Sequence, residues 1–175
     1  MDLKKYIRSI PDYPKKGILF RDITTLIKDK DAFKECIDQM SKILTKLDFN
    51  KIASIESRGF IFSSALCYNL SKPLILMRKK NKLPADKYSQ EFKLEYGQAT
   101  LEIHKDSIEP EEKVLIIDDL IATGGTAEAA AKLVNKSSGK ISAFLFVINL
   151  FDLGGKKLLE KKGYKTFSLI DFPGH

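Results

Sequence analysis

Asp118 and Asp119 stand side by side just after four apolar residues, Val114-Leu115-Ile116-Ile117, three of them β-branched. A turn of small residues, Ala122-Thr123-Gly124-Gly125-Thr126, follows and leads into an alanine-rich stretch. The apolar run reads as a buried strand and the stretch Gly125–Asn135 as a helix. Three kinds of ligand contact therefore fall within one turn of chain. Main-chain N–H groups of the loop and first helical turn converge on one spot, where the helix dipole also favours an anion. Gly124 and Gly125 let the backbone approach a phosphate closely. Thr123 and Thr126 add hydroxyl donors, and Asp118 and Asp119 suit sugar hydroxyls or a Mg²⁺ beside that phosphate. The ligand that fits this segment is a phosphorylated sugar.

Two commoner phosphate loops are excluded. No Lys follows Gly125, so the pattern G-x-x-x-x-G-K-[ST] fails, and G-x-G-x-x-G occurs nowhere. The plain alternative is a strand–turn–helix whose acids only cap the turn. A second constellation, Glu56-Ser57-Arg58-Gly59-Phe60, directly follows the apolar run Ile52–Ile55. Arg58 offers a planar fork for two phosphate oxygens, at a helix start where the dipole opposes a cation that serves structure alone. Arg78-Lys79-Lys80-Asn81-Lys82 ends the next apolar run, and its cations suit a diphosphate, with Lys80 reading as solvated. Leu94-Glu95-Tyr96-Gly97 and Gly17-Ile18-Leu19-Phe20-Arg21-Asp22 are unremarkable taken alone. Neither His104 nor His175 has a Ser, Cys or Asp partner at motif spacing, which leaves a nucleophilic triad unsupported.

The elements that must position these groups follow from the spacing of apolar residues. Asp2–Ile10 reads as a short amphipathic helix stopped by Pro11 and Pro14, and Ile18–Leu26 as an apolar turn. Asp31–Leu47 has helical spacing, with Phe33, Cys36, Ile37, Met40, Ile43, Leu44 and Leu47 on one face. Strands are expected at Ile52–Ile55, Leu74–Met77, Val114–Ile117, Ile141–Ile148 and Thr166–Ile170, with helices at Phe60–Leu70 and near Lys156–Glu160. Lys79–Lys93 is polar and reads as a long loop, and short strands around Phe92–Glu95 and Thr100–His104 are candidates to pair. Alternating strands and helices predict an α/β domain with a mostly parallel twisted sheet covered on both faces. Ligands of such sheets sit beyond the carboxyl ends of the strands, where Asp118 and Asp119 already lie.

A chain of 175 residues, 43% hydrophobic and 30% charged, is expected to form one soluble globular domain. Its first residues lack the apolar core of a signal peptide, and its longest uncharged run, Gly59–Ser71, is too short to span a bilayer. Cys36 and Cys67 lack metal spacing and read as small buried hydrophobes of a reducing, cytoplasmic protein. The net charge of +7 is spread along the chain with no aromatic-interleaved basic motif. A polyanionic small substrate accounts for it better than nucleic acid, and no membrane partner is expected.

In combination, G-I-L-F-R-D-I-T, E-S-R-G-F, R-K-K-N-K-L-P, L-E-Y-G, L-E-I-H-K-D and D-D-L-I-A-T-G-G-T resemble the type I phosphoribosyltransferase family, and within it the adenine-using branch. The last string marks the superfamily; F-R-D-I-T and L-E-Y-G narrow the likeness to that branch. The resemblance covers most of the chain. It implies a single phosphoribosyltransferase domain over residues 1–175, with an N-terminal base-binding hood over 1–27 and a mobile active-site loop over 79–97. It implies purine salvage: transfer of the 5-phosphoribosyl group from phosphoribosyl diphosphate (PRPP) to adenine, giving AMP and diphosphate, with Mg²⁺ as cofactor in a homodimer. By the same likeness Ala122, Thr123, Gly124, Gly125 and Thr126 hold the 5-phosphate, and Asp118 and Asp119 the ribose and, as candidate ligands, the metal. Arg58, Arg78, Lys79 and Lys82 would bind the diphosphate, Leu19, Phe20, Arg21 and Leu120 the adenine, and Glu95 and Tyr96 would belong to the closing loop. Glu95, Tyr96 and Arg58 are thus the catalytic candidates, Glu95 as general base or as lid fastener.

Departures are Lys16, where the family usually has Pro, Phe92, where Tyr is common, and Gly155-Lys156, where Gly-Arg is usual. Only Asp22 offers an acid or amide near the hood turn, which assigns base reading to main-chain groups. The Arg21 side chain is then dispensable for base choice as long as the turn keeps its shape. A xanthine- or hypoxanthine-using relative, or a PRPP-binding regulator without chemistry, are the alternatives. The regulator should carry a DNA-binding module for which one α/β domain leaves no room.

Overall fold

In the computed structural model, which describes residues 1–94 and 97–175, the chain opens with a single 3₁₀ turn at Leu3–Tyr6 rather than an amphipathic helix. Strand β1 (Arg8–Ile10) follows at once and pairs antiparallel with β2 (Phe20–Asp22), Ser9 opposite Arg21. The residues read as a turn are therefore half of a two-stranded sheet, set by a pairing twelve residues apart that local periodicity does not reveal. Two helices come next, α1 (Thr24–Ile27) and α2 (Lys30–Leu44). Asp29 caps α2 by accepting from the main-chain N–H of Asp31 and Ala32 at 3.1 and 2.9 Å.

The main body is β3 (Lys51–Ile55), α3 (Gly59–Leu70), β4 (Leu74–Lys79), β5 (Lys87–Leu94), β6 (Gly97–His104), β7 (Lys113–Ile121), α4 (Gly125–Lys136), β8 (Lys140–Leu150), α5 (Gly155–Lys161) and β9 (Thr166–Phe172). The strands form one sheet in the order β5-β6-β4-β3-β7-β8-β9, parallel from β4 to β9, with β6 and β5 antiparallel at one edge. Alternate residues of the central strands feed two cores. Leu115, Ile117, Leu145 and Val147 meet α2 and α3 on one face, while Val114, Ile116, Phe144 and Phe146 meet α4 on the other. Strands buried on both faces must be largely apolar, as Val114–Ile117 and Phe144–Ile148 are.

The order in which strands join the sheet reverses about β3: α3 carries the chain to β4 on one side, and β7 lies on the other. The crevice beyond the carboxyl ends of β3 and β7 is the switch point where open α/β sheets bind ligands. β7 runs on to Ile121, with Asp118 in register with Phe146, so the two acids are strand residues and not the turn that follows. Polar Lys87–Leu94 is likewise strand: Tyr88 and Phe92 turn towards the α4 core while Ser89, Glu91 and Lys93 face out.

Candidate active site

A cavity of about 500 Å³ opens at that crevice, a size usual for small-molecule sites. Its wall takes Glu56, Ser57 and Arg58 from the end of β3, Lys79 from the end of β4, and every residue from Asp118 to Ala127. Two segments unremarkable in local sequence close it: Phe92 on β5 and Ala99–Leu101 on β6.

The loop Ala122–Thr126 has its predicted form. Gly124 precedes α4 at φ +91°, a left-handed conformation that costs glycine nothing. No side chain caps α4, so the N–H groups of its first turn lack intrahelical acceptors beside the cavity. Gly155 N donates to Ala122 O at 2.9 Å and fixes the loop from behind. Gly59 permits the other wall: a Cβ there would lie 2.9 Å from Asp118 Oδ1 and 3.1 Å from Ile117 O. Only glycine lets α3 begin this close to β7.

The two acids differ in their surroundings. Asp118 Oδ1 accepts from Asp119 N at 2.8 Å. Burial, and then the Asp119 charge beside it, hold the Asp118 carboxyl well above the usual carboxylate range. Burial raises the Asp119 carboxyl too, with the Arg58 guanidinium acting in the opposite direction. Arg58 Nε stands 2.9 Å from Asp119 Oδ2, but its N–H is not aligned with that oxygen, which is left buried without a hydrogen-bond donor among the described residues. A carboxylate pair in a cavity wall is a place for a ligand hydroxyl or a cation. The Arg58 guanidinium also lies 5.2 Å from the centre of the Phe20 ring, which links the hood to the acids.

The remaining candidates are dispersed. Leu120 is in the cavity wall; Leu19, Phe20, Arg21, Arg78 and Lys82 are not, and Phe20 reaches the rim through Arg58. Arg78 is turned away: it donates to Lys82 O at 3.2 Å and to Glu56 Oε1 at 3.3 Å. Glu56 Oε2 accepts from Lys79 N at 2.8 Å, so this carboxylate, unassigned from sequence, joins the ends of β3 and β4. Burial tends to raise the Glu56 carboxyl, but these contacts outweigh it and leave it below its ordinary value. The Glu56–Ser57 peptide is cis. Glu95 and Tyr96 lie outside the described residues.

A mostly parallel sheet with paired acids, a glycine loop opening a helix and two cations, Arg58 and Lys79, at one crevice defines a phosphoribosyltransferase domain, and the family model of that description matches residues 24–174. Over its full 175 residues the chain is 69% identical to the adenine phosphoribosyltransferase of Pelagibacter ubique, covering 100% of both proteins. The crystal structure of adenine phosphoribosyltransferase from Thermoanaerobacter pseudethanolicus superposes with a TM-score of 0.94 at 46% identity, over 98% of each chain. That of the Saccharomyces cerevisiae adenine phosphoribosyltransferase, complexed with an imino-altritol bisphosphate and adenine, gives a TM-score of 0.88 at 32% identity over 97% of each chain. The chain belongs to the adenine phosphoribosyltransferase family.

Proposed function

We propose that this chain transfers the 5-phosphoribosyl group of PRPP to N9 of adenine, releasing diphosphate and forming AMP. The observation that carries the reading is the Asp118–Asp119 carboxylate pair lining a cavity that also holds an uncapped helix start. A sugar hydroxyl meets the first and a 5-phosphate the second, about one turn of chain apart. A relative of this family holds adenine with a bisphosphorylated sugar analogue.

Departure of diphosphate from ribose C1 builds positive charge on the sugar. Arg58 and Lys79, both in the cavity wall, are assigned the departing oxygens, and Asp118 and Asp119 the ribose hydroxyls. Main-chain donors of Ala122–Thr126 hold the far end of the substrate, so that C1 is fixed against the base. Water would attack the same carbon. Residues 79–97, which include β5, are assigned the lid that excludes it, with Phe92 already in the wall. Glu95 is assigned the adenine imidazole proton or the fastening of that lid. Arg78 and Lys82 complete the diphosphate site only if Arg78 leaves Glu56 on binding.

Mg²⁺ fits this site as a metal brought by substrate. No group of three or more His, Cys, Asp or Glu suited to a metal occurs among the described residues, and Asp118 and Asp119 offer two carboxylates, the usual protein share for Mg²⁺ on a phosphate. When bound, it neutralises charge on the diphosphate. The active unit is a homodimer in which the exposed apolar residues of α3 meet their copy. Ile61 and Tyr68 lie seven residues apart on one face of α3, 38% and 87% exposed, with Leu76 of β4 40% exposed. No helix among the described residues is long and apolar enough to cross a membrane, and a cytoplasmic location suits both substrates.

Incubation with adenine, PRPP and Mg²⁺ should release AMP and diphosphate in equal amounts. Formation of neither, or of diphosphate without AMP, would overturn the reading.

A further inference from the structure

Arg21 was expected to contribute only its main chain. Its side chain is the one buried cation among the described residues, 5% exposed, and none of its contacts reaches the cavity. The guanidinium donates through Nη2 to Pro173 O at 2.7 Å and through Nη1 to Ser9 Oγ, and its centre lies 4.4 Å from the centre of the Phe172 ring. Residues 171–174 in turn are tied to the end of β8. Asn149 Nδ2 donates to Asp171 Oδ1 at 2.9 Å, Phe151 N to Phe172 O at 3.1 Å, and Gly174 N to Asp152 Oδ1 at 2.6 Å. β8 lies beside β7, with Ile148 in register with Leu120 and Asn149 with Ile121. An unbroken chain of contacts therefore runs from the cavity wall at Leu120, through the C-terminal tail, to the strand that carries Phe20.

β2 pairs with β1 and with no other strand among the described residues, so its second edge presents main-chain N–H and C=O groups without strand partners. An open edge can read a base only if its position is fixed to a fraction of an ångström, because misaligned hydrogen bonds weaken steeply. A three-residue strand in a two-stranded ribbon does not supply that rigidity by itself.

We propose that Arg21 is a positioning residue for base selection: its clasp on Pro173, Phe172 and Ser9 fixes β2, and with it Phe20 beside Arg58 of the cavity wall, making the C-terminal tail part of the specificity apparatus. The proposal rests on the adenine-transfer reading above and extends it to a segment remote in sequence. Burying a guanidinium costs free energy, and desolvation does lower the Arg21 pKa, with only the Asp152 charge opposing. A buried cation without a ligand to bind is consistent with a place held for geometry.

The test is steady-state kinetics on the parent chain, Arg21→Lys, Phe172→Leu and Ser9→Ala, with KM for adenine and PRPP measured separately, the adenine-to-hypoxanthine ratio of kcat/KM determined, and melting temperature followed. Ser9 is exposed, so Ser9→Ala retains the fold whatever the other two do. Arg21→Lys and Phe172→Leu should raise KM for adenine at least fivefold, leave KM for PRPP within twofold and narrow the base ratio at least tenfold; Ser9→Ala should shift all three the same way by less. Folded variants with the parent base ratio, or with both KM values raised equally, would overturn the proposal. If Arg21→Lys and Phe172→Leu fail to fold, an unchanged base ratio in Ser9→Ala overturns it and a narrowed one supports it. Absence of AMP formation by the parent chain would instead overturn the underlying reading.

Discussion

Two adjacent carboxylates in a half-closed cavity repel each other and lose hydration, and proteins keep such pairs where a ligand offsets the cost. Asp118→Asn and Asp119→Asn retain shape and remove charge. Each should lower kcat/KM by roughly 10- to 200-fold, the effect of losing a charge-assisted contact of about 1.5–3 kcal/mol. The melting temperature of ligand-free Asp118→Asn should equal or exceed that of the parent, since its Oδ1 can still accept from Asp119 N. Parent-like kinetics in both variants would remove the ribose assignment. The acids and the glycine loop were legible because their types and order are contiguous in the chain. Arg21, Arg78 and Glu56 were not, because Pro173 lies 152 positions from Arg21, and Glu56 lies 22 from Arg78. A cation in a sequence shows its charge but not the direction in which it points.

At the level of elements, the phosphate loop depends on one left-handed residue. Gly124→Val meets both the positive φ and a Cβ placed 3.1 Å from Gly155 Cα. Obstruction there should raise KM for PRPP at least tenfold and KM for adenine far less; equal effects would contradict the phosphate cradle. The hood offers a pH test. Burial works to raise the Asp22 carboxyl, but donation from Thr24 N at 2.9 Å, from Arg8 Nε at 3.0 Å and from Thr24 Oγ1 at 2.8 Å outweighs it, leaving Asp22 below its ordinary value. A depressed carboxyl contributes stability that is present above its unfolded value near pH 4 and is lost as pH falls through its lower folded value. Asp22→Asn should therefore be less stable than the parent by about 1.5–3 kcal/mol at neutral pH, a gap that closes as the pH falls towards 2. A gap independent of pH in denaturant titrations would contradict this. The parallel strands were legible because burial on both faces demands unbroken apolar runs. β1 was not, since Arg8-Ser9-Ile10 is a strand only by virtue of β2, and β5 was obscured because Gln90 interrupts the alternation of Tyr88 and Phe92.

For the whole molecule, the exposed apolar face of α3 predicts self-association. Sedimentation at micromolar concentration should show a dimer of the 19.8 kDa chain, and Tyr68→Glu should shift it towards monomer; a fully active 19.8 kDa species would contradict the dimer. The central claim is that fold, cavity and hood together select adenine through main-chain groups. On this account a main-chain carbonyl of the hood would accept from the adenine amino group and an N–H would donate to unprotonated N1. Hypoxanthine reverses both polarities and leaves buried groups mispaired. The most direct measurement is kcat/KM of the parent chain for adenine and hypoxanthine at saturating PRPP and Mg²⁺. A preference for adenine of roughly 10⁴–10⁵ is predicted; hypoxanthine used within about tenfold of adenine, a gap of only 1.4 kcal/mol, would contradict it.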